Sequence, residues 1–314
     1  AVLFSFGLMG CGNNQPPRIV SCSSTMTEII YEVGAGKQVV GATSFCFFPD
    51  QVMADKEAGR ITVIGDFINI NFERIDSLRP DIIFTDTNMQ RKIAEKLRSM
   101  GYTVYHFEPD RLEEVYECIL KTGEAAGKKK NAEKIIRKMK EGFDKIRNVS
   151  QDLEPVKVYM EINHMGPWTF GSISPLQDMI EAAGGVNVFG DTAVGVFMTS
   201  NTEVVRRNPD IILSPIWLDA ELGGWKGITP LMEIYTRPGY VETNAVTHSR
   251  VLYYDSALMK HFGPRQIVAA QKLAYLLHPE HFTSPEGTIP WELGWIKSVS
   301  YTHLRAHETV LDLV

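Results

Sequence analysis

Cysteine is scarce in this chain: four residues in 314 make no disulfide framework for a protein of this size. An excess of positive charge is also missing. With 32 Lys and Arg against 38 Asp and Glu, the net charge of -6 argues against a nucleic-acid surface, and the one basic run, Lys128 to Lys130, reads as the solvated start of a helix. Enzyme signatures are absent too, since neither Gly-x-Ser-x-Gly nor His-Glu-x-x-His occurs. Gly34-Ala35-Gly36-Lys37 is only half a phosphate loop and falls where a helix should end, so it reads as a helix C-cap. His106, His164, His248, His261, His278 and His281 are scattered without metal-ligand spacing, so a metal site would have to be assembled in space.

What is present is an ordinary globular composition, 44% hydrophobic and 22% charged, on a chain long enough for two cores. Its organising stretch is 132–149, where Ala132, Ile135, Ile136, Met139, Phe143, Ile146 and Val149 recur every three or four residues and predict one apolar face of a long helix. A repeat lies on either side of it. Glu73 opens Glu-Arg-Ile-Asp-Ser-Leu-Arg-Pro-Asp-Ile-Ile-Phe, and Glu203 opens Glu-Val-Val-Arg-Arg-Asn-Pro-Asp-Ile-Ile-Leu. In each copy a short helix stops at Pro80 or Pro209 and a buried strand follows. Two similar lobes joined by one spanning helix is the expected plan.

Along the first lobe the pattern predicts strands at 18–22, 38–42, near Val63, at 81–84 and at 102–107. Helices are expected from Thr25, with Glu28 at capping-box spacing, from Glu73, at 91–100 and at 112–126, with 43–49 as a loop. The second lobe predicts strands at 156–162, 211–213 and 251–254. Its helices follow Ser174-Pro175, start at Glu203 and fill 264–277. Alternating strands and helices predict an α/β fold with mainly parallel sheets and a ligand cleft between the lobes, beyond the strands' carboxyl ends. The expected divisions are a signal remnant and linker at 1–17, a lobe at 18–128, the helix at 129–150, a lobe at 151–297, and a non-native tail at 298–314.

Aromatic residues gather where strands end. Phe45, Phe47 and Phe48 in the first lobe, Trp168, Phe170 and Phe197 in the second, and His261-Phe262 before the last helix would line a cleft for a broad, flat, partly apolar ligand. The alternative for each is a place in the core. Residues 1–11 form an apolar segment too short to span a bilayer, and Leu8-Met9-Gly10-Cys11 resembles a bacterial lipobox, which would lipidate Cys11. Cys22, Cys46 and Cys118 would then remain, with Cys22 and Cys46 either paired or buried as free thiols.

Several ordered segments carry a family resemblance. Arg18-Ile19-Val20-Ser21, Val39-Val40-Gly41, Glu73 with Arg79-Pro80-Asp81-Ile82, Ala183-Gly184-Gly185-Val186-Asn187-Val188-Phe189-Gly190-Asp191 and Gly263-Pro264-Arg265 resemble the class III solute-binding proteins of ABC importers for cobalamin, ferric siderophores and haem. The resemblance implies a non-enzymatic, extracytoplasmic, lipid-anchored monomer without a cofactor of its own. Such a protein captures a metal chelate and delivers it to an ABC permease dimer with its ATPase subunits. By the same resemblance Glu73 and Glu203 meet permease arginines, and Phe45, Phe67, Trp168 and Phe197 face the ligand. Arg265 would pair with an anionic ligand or cap structure within its own helix, and His164, Met165 or His261 would serve if haem needed an iron ligand. The rival readings are a metal-dependent two-lobed enzyme or chelatase, and a surface sensor on the same fold.

Overall fold

The computed structural model describes residues 15–163, 166–216 and 231–283. Cys11, His164, Met165 and the tail at 298–314 lie outside them.

Five strands make the first sheet: β1 (Ile19–Ser21), β2 (Val39–Ala42), β3 (Thr62–Val63), β4 (Ile82–Asp86) and β5 (Val104–Phe107). All pair in parallel, in the order β3-β2-β1-β4-β5. β1 and β4 are central and buried on both faces, which is why they read as unbroken runs and not as alternations. The winding reverses between them, so the crevice of this sheet lies at the carboxyl ends of β1 and β4.

The second lobe contributes β6 (Val156–Met160), β7 (Trp168–Phe170), β8 (Gly185–Asn187), β9 (Val196–Met198), β10 (Ile211–Ile216) and β11 (Val251–Asp255). Four of them form a parallel sheet, β11-β10-β6-β8, whose winding reverses at β6 and β10. β7 and β9 leave it and pair antiparallel as a separate ribbon. The fold is therefore α/β with mainly parallel sheets on both sides of a spanning helix.

That helix, Lys129–Ser150, has 22 residues and is about 33 Å long at 1.5 Å per residue. Ala132, Met139, Phe143 and Ile146 are buried as their spacing demands, while Val149 is 41% exposed, so the apolar face ends one turn earlier than its sequence period suggests. Two glycines let the helix lie close to both lobes. A Cβ on Gly123 of the preceding helix would stand 2.5 Å from Ala132 Cβ, and one on Gly142 would stand 2.5 Å from Ile267 Cγ1 of the last helix. Side-chain bonds tie both ends: Asn131 Nδ2 donates to Val33 O at 2.8 Å, and Ser150 Oγ to Ala182 O at 2.7 Å. One continuous hydrophobic core runs from β1 and β4 through this helix into β6, β10 and the last helix.

Three local expectations need correction. Residues 43–49 are a loop, but Asp50–Glu57 after them is a helix. The first helix, Ser24–Glu32, is capped by Ser23, whose Oγ accepts from Met26 N at 3.3 Å; Thr25 lies inside it. The β7–β9 ribbon lies outside the expected strands, because β9 lacks the alternation that announces a strand: Val196 and Met198 are exposed yet as apolar as Phe197 between them.

Candidate functional site

Each reversal of winding holds a buried carboxylate. At the end of β4, Asp86 accepts from Ser23 Oγ at 2.5 Å, and burial pushes its carboxyl up to about 6. Beyond the end of β6, Glu161 is fully buried against Arg237, with Tyr159 OH donating at 3.1 Å, and burial holds its carboxyl above the usual range. Both anchor the strand ends from which the crevice loops leave.

Gln90 fixes the Phe67 loop to this frame. Its amide nitrogen donates to Cys22 O at 2.8 Å and Phe67 O at 2.7 Å, and its oxygen accepts from Asp86 N at 3.1 Å. Half-buried Phe67 therefore sits beside the carboxyl ends of β1 and β4. The second aromatic loop is held by Lys56, from the helix after it, whose ammonium donates to Thr43 O at 2.9 Å and Cys46 O at 2.5 Å. On that loop Phe45 and Phe47 meet edge to face at 6.4 Å, and Phe48 lies under the Arg265 guanidinium at 3.6 Å.

In the second lobe the ribbon separates two residues expected to act together. Trp168 pairs with Met198 and Thr169 with Phe197, so Trp168 and Phe197 point to opposite faces. Phe197 packs edge to face on Phe189 at 5.6 Å and joins the core, whereas Trp168 has the 62% exposed Met198 beside it. Phe170 is fully buried and Phe262 half-buried against the core.

His261 and Arg265 both turn toward the first lobe. His261 Nε2 lies 3.4 Å from Ser24 Oγ, and burial, then the charges of Arg265 and Lys260, push its imidazole down to about 3, so it is neutral at physiological pH. Arg265 makes no cap bond to its own helix. Its Nε and Nη2 donate to Glu28 Oε2 at 3.0 and 2.7 Å, across the lobe boundary. Among the described residues no group of three His, Cys, Asp or Glu stands together as a metal site, and Cys22, Cys46 and Cys118 are buried free thiols.

Residues 19–258 match the Periplasmic binding protein family. The chain belongs to that family. A Bacillus subtilis protein named as an uncharacterized ABC transporter substrate-binding lipoprotein is 30% identical over 277 residues, 85% of this chain and 82% of that one. The vitamin B12-binding protein of Photorhabdus laumondii is 22% identical over 265 residues, covering 84% and 88%. Among solved structures, the periplasmic haem-binding protein RhuT from Roseiflexus sp. RS-1 superposes with a TM-score of 0.69 at 24% identity, over 84% of this chain and 99% of that one. As a member of this family the chain is a substrate-binding protein of ABC transporters, and its architecture is that of the class III type.

The two glutamates expected at a family docking surface differ in setting. Glu73 is exposed and makes no hydrogen bond or ion pair among the described residues, because Asn71 caps its helix by accepting from Arg74 N at 2.9 Å. Glu203 accepts from Arg206 Nη2 at 2.6 Å and Arg207 Nε at 2.7 Å, and these hydrogen bonds lower its carboxyl to about 2. Ser200 Oγ accepts from Glu203 N at 3.2 Å, but the Glu203 carboxylate is turned to the arginines, so the reciprocal capping-box bond is not made.

Sequence reasoning missed Asp86, Gln90, Lys56 and Glu161, which carry no motif. It read Glu28 only as a helix-capping acid. Periodicity held no signal there: Glu28 lies on the side of its helix opposite the Met26, Ile29, Ile30 and Val33 stripe, and only the fold shows that this side is buried as well, where an acid needs a partner.

Proposed function

We propose that this substrate-binding protein captures a metal chelate, a corrinoid, ferric siderophore or haem, outside the cytoplasmic membrane. It then delivers the chelate to an ABC permease dimer driven by its ATPase subunits. What supports the reading is aromatic side chains at the carboxyl ends of strands in both lobes: Phe45, Phe47 and Phe67 on loops held by Lys56 and Gln90, and Trp168 on the opposite lobe. Broad faces of this kind stack on a flat, partly apolar ligand. Neutral His261 has the protonation state that an iron ligand requires, which keeps haem among the candidates. Cys11 is the proposed lipid anchor, and Glu73 and Glu203 the proposed contacts with permease arginines.

The test is a titration with cyanocobalamin, a ferric hydroxamate siderophore and haemin, followed by tryptophan emission and thermal midpoint. One of the three should quench emission and raise the midpoint, and Trp168→Phe should remove much of the quenching. If all three leave both signals unchanged in the wild type, the reading fails.

A further inference from the structure

We infer that two reciprocal ion pairs, Arg265 with Glu28 and Arg111 with Asp178, are positioning devices that set the spacing between the two halves of the cleft. In the first pair the second lobe supplies the arginine and the first lobe the acid. In the other pair the roles are exchanged. Arg111 Nε donates to Asp178 Oδ1 at 2.9 Å, and Asp178 Oδ2 also accepts from Leu112 N at 2.6 Å, so an acid of the second lobe caps a helix of the first.

The two pairs differ in depth. The Glu28 side chain is 1% exposed and that of Arg265 17%, against 12% for Asp178 and 53% for Arg111. Removing Arg265 from the deeper pair would strand a buried carboxylate without its counter-charge, which is the costly way to break an ion pair. Gly263 permits the close approach: a Cβ there would stand 3.0 Å from Glu28 Oε1. Since the same guanidinium lies over Phe48, the second lobe also holds the aromatic loop of the first in place. Together with the spanning helix, tied to both lobes, the pairs give three separate links between the lobes. A cleft fixed in this way binds without having to order its walls, and it selects ligands by thickness.

The inference rests on the chelate reading for its affinity arm only. For the other arm, spin labels on Lys92→Cys and Gln271→Cys, both exposed and one in each lobe, report the interlobe distance in a Cys11→Ala background. The three buried native thiols stay unlabelled. Pulsed dipolar spectroscopy should give one narrow distribution with both pairs intact and a broadened one in Arg265→Met and in Asp178→Asn. Whichever of cyanocobalamin, the ferric hydroxamate siderophore and haemin binds the wild type should bind Arg265→Met at least tenfold more weakly, mainly through faster release. Glu28→Gln added to Arg265→Met should weaken it little further. Should Arg265→Met fail to fold, Arg265→Lys keeps the charge but loses the fork and the stacking on Phe48, and should broaden the distribution as well. Distributions as narrow as in the wild type in all these variants, with only the thermal midpoint lowered, would overturn the inference. Absence of binding by the wild type would count against the chelate reading and leave the distance measurement decisive for the ion pairs.

Discussion

Asp81 and Asp210 make the same two bonds in the two lobes. Asp81 Oδ2 accepts from Arg18 N at 2.7 Å while Asp81 N donates to Arg18 O at 2.9 Å; Asp210 does the same with Lys157, at 2.9 and 2.8 Å. Each follows a left-handed residue, Arg79 or Asn208, and a proline that ends the helix before it. The internal repeat is thus a repeated joint. Its aspartate pins the incoming strand to the first strand of its sheet, which gives the repeat a structural cause apart from any ligand.

The joints are not equally loaded, because Asp210 also accepts from Asn244 Nδ2 at 2.8 Å. Asp81→Ala should therefore cost about 1 kcal/mol and Asp210→Ala about 2 kcal/mol. Urea denaturation of the two variants measures this. Equal losses would mean that the Asn244 bond adds nothing.

The plan of two parallel sheets and one spanning helix was legible because its signals are periodic: Ala132 to Ile146 on one helix face, and unbroken apolar runs at β1, β4 and β10. The joint was legible as a repeated Pro-Asp. Pairings across long separations were not, because no local pattern announces them. Arg265 looked free for an anionic ligand or for its own helix, and its partner Glu28 is 237 residues away. Trp168 and Phe197 looked equivalent as loop aromatics until a ribbon register put them on opposite faces.

That register makes a prediction. Phe197→Ala should lower stability by about 2 to 3 kcal/mol, since the ring packs on Phe189 and the core, while Trp168→Phe should change it by less than about 1 kcal/mol. The reverse should hold for quenching by cyanocobalamin or haemin, which Trp168→Phe should reduce far more than Phe197→Ala. Thermal melts beside emission titrations separate the two roles. A Phe197 variant that keeps full stability but loses binding would return that ring to the cleft.

Asp86 should leave a signature in the pH dependence of stability. Burial raises its carboxyl from 3.8 to about 6, so between those values the folded chain holds more proton than the unfolded one, and the stability contribution falls as pH rises through the window. Asp86→Asn keeps an acceptor for Ser23 and cannot ionise. It should be more stable than the wild type at pH 7.5, by on the order of 3 kcal/mol, with the difference closing toward pH 4. Denaturation curves at several pH values test it. A difference independent of pH would show that the carboxyl titrates normally.

The contrast between Glu73 and Glu203 yields the sharpest prediction. Glu73 has no partner among the described residues, so Glu73→Gln should alter stability only through the helix dipole, by at most about 0.3 to 1 kcal/mol. Glu203→Gln gives up the ionic part of its pairing with Arg206 and Arg207, and that loss is specific to pH above about 2, where the carboxylate is charged. On the proposed docking, a permease arginine would meet Glu73 directly, whereas at Glu203 it would have to displace or share the chain's own arginines. Glu73→Lys should therefore weaken the complex with nanodisc-reconstituted permease more than Glu203→Lys does, and the double variant should abolish it through like-charge repulsion. All three should bind cyanocobalamin or haemin as the wild type does. Equal weakening by the two single variants would mean that Arg206 and Arg207 release Glu203 without cost. Undiminished complex formation by the folded double variant would leave both glutamates with local structural roles alone.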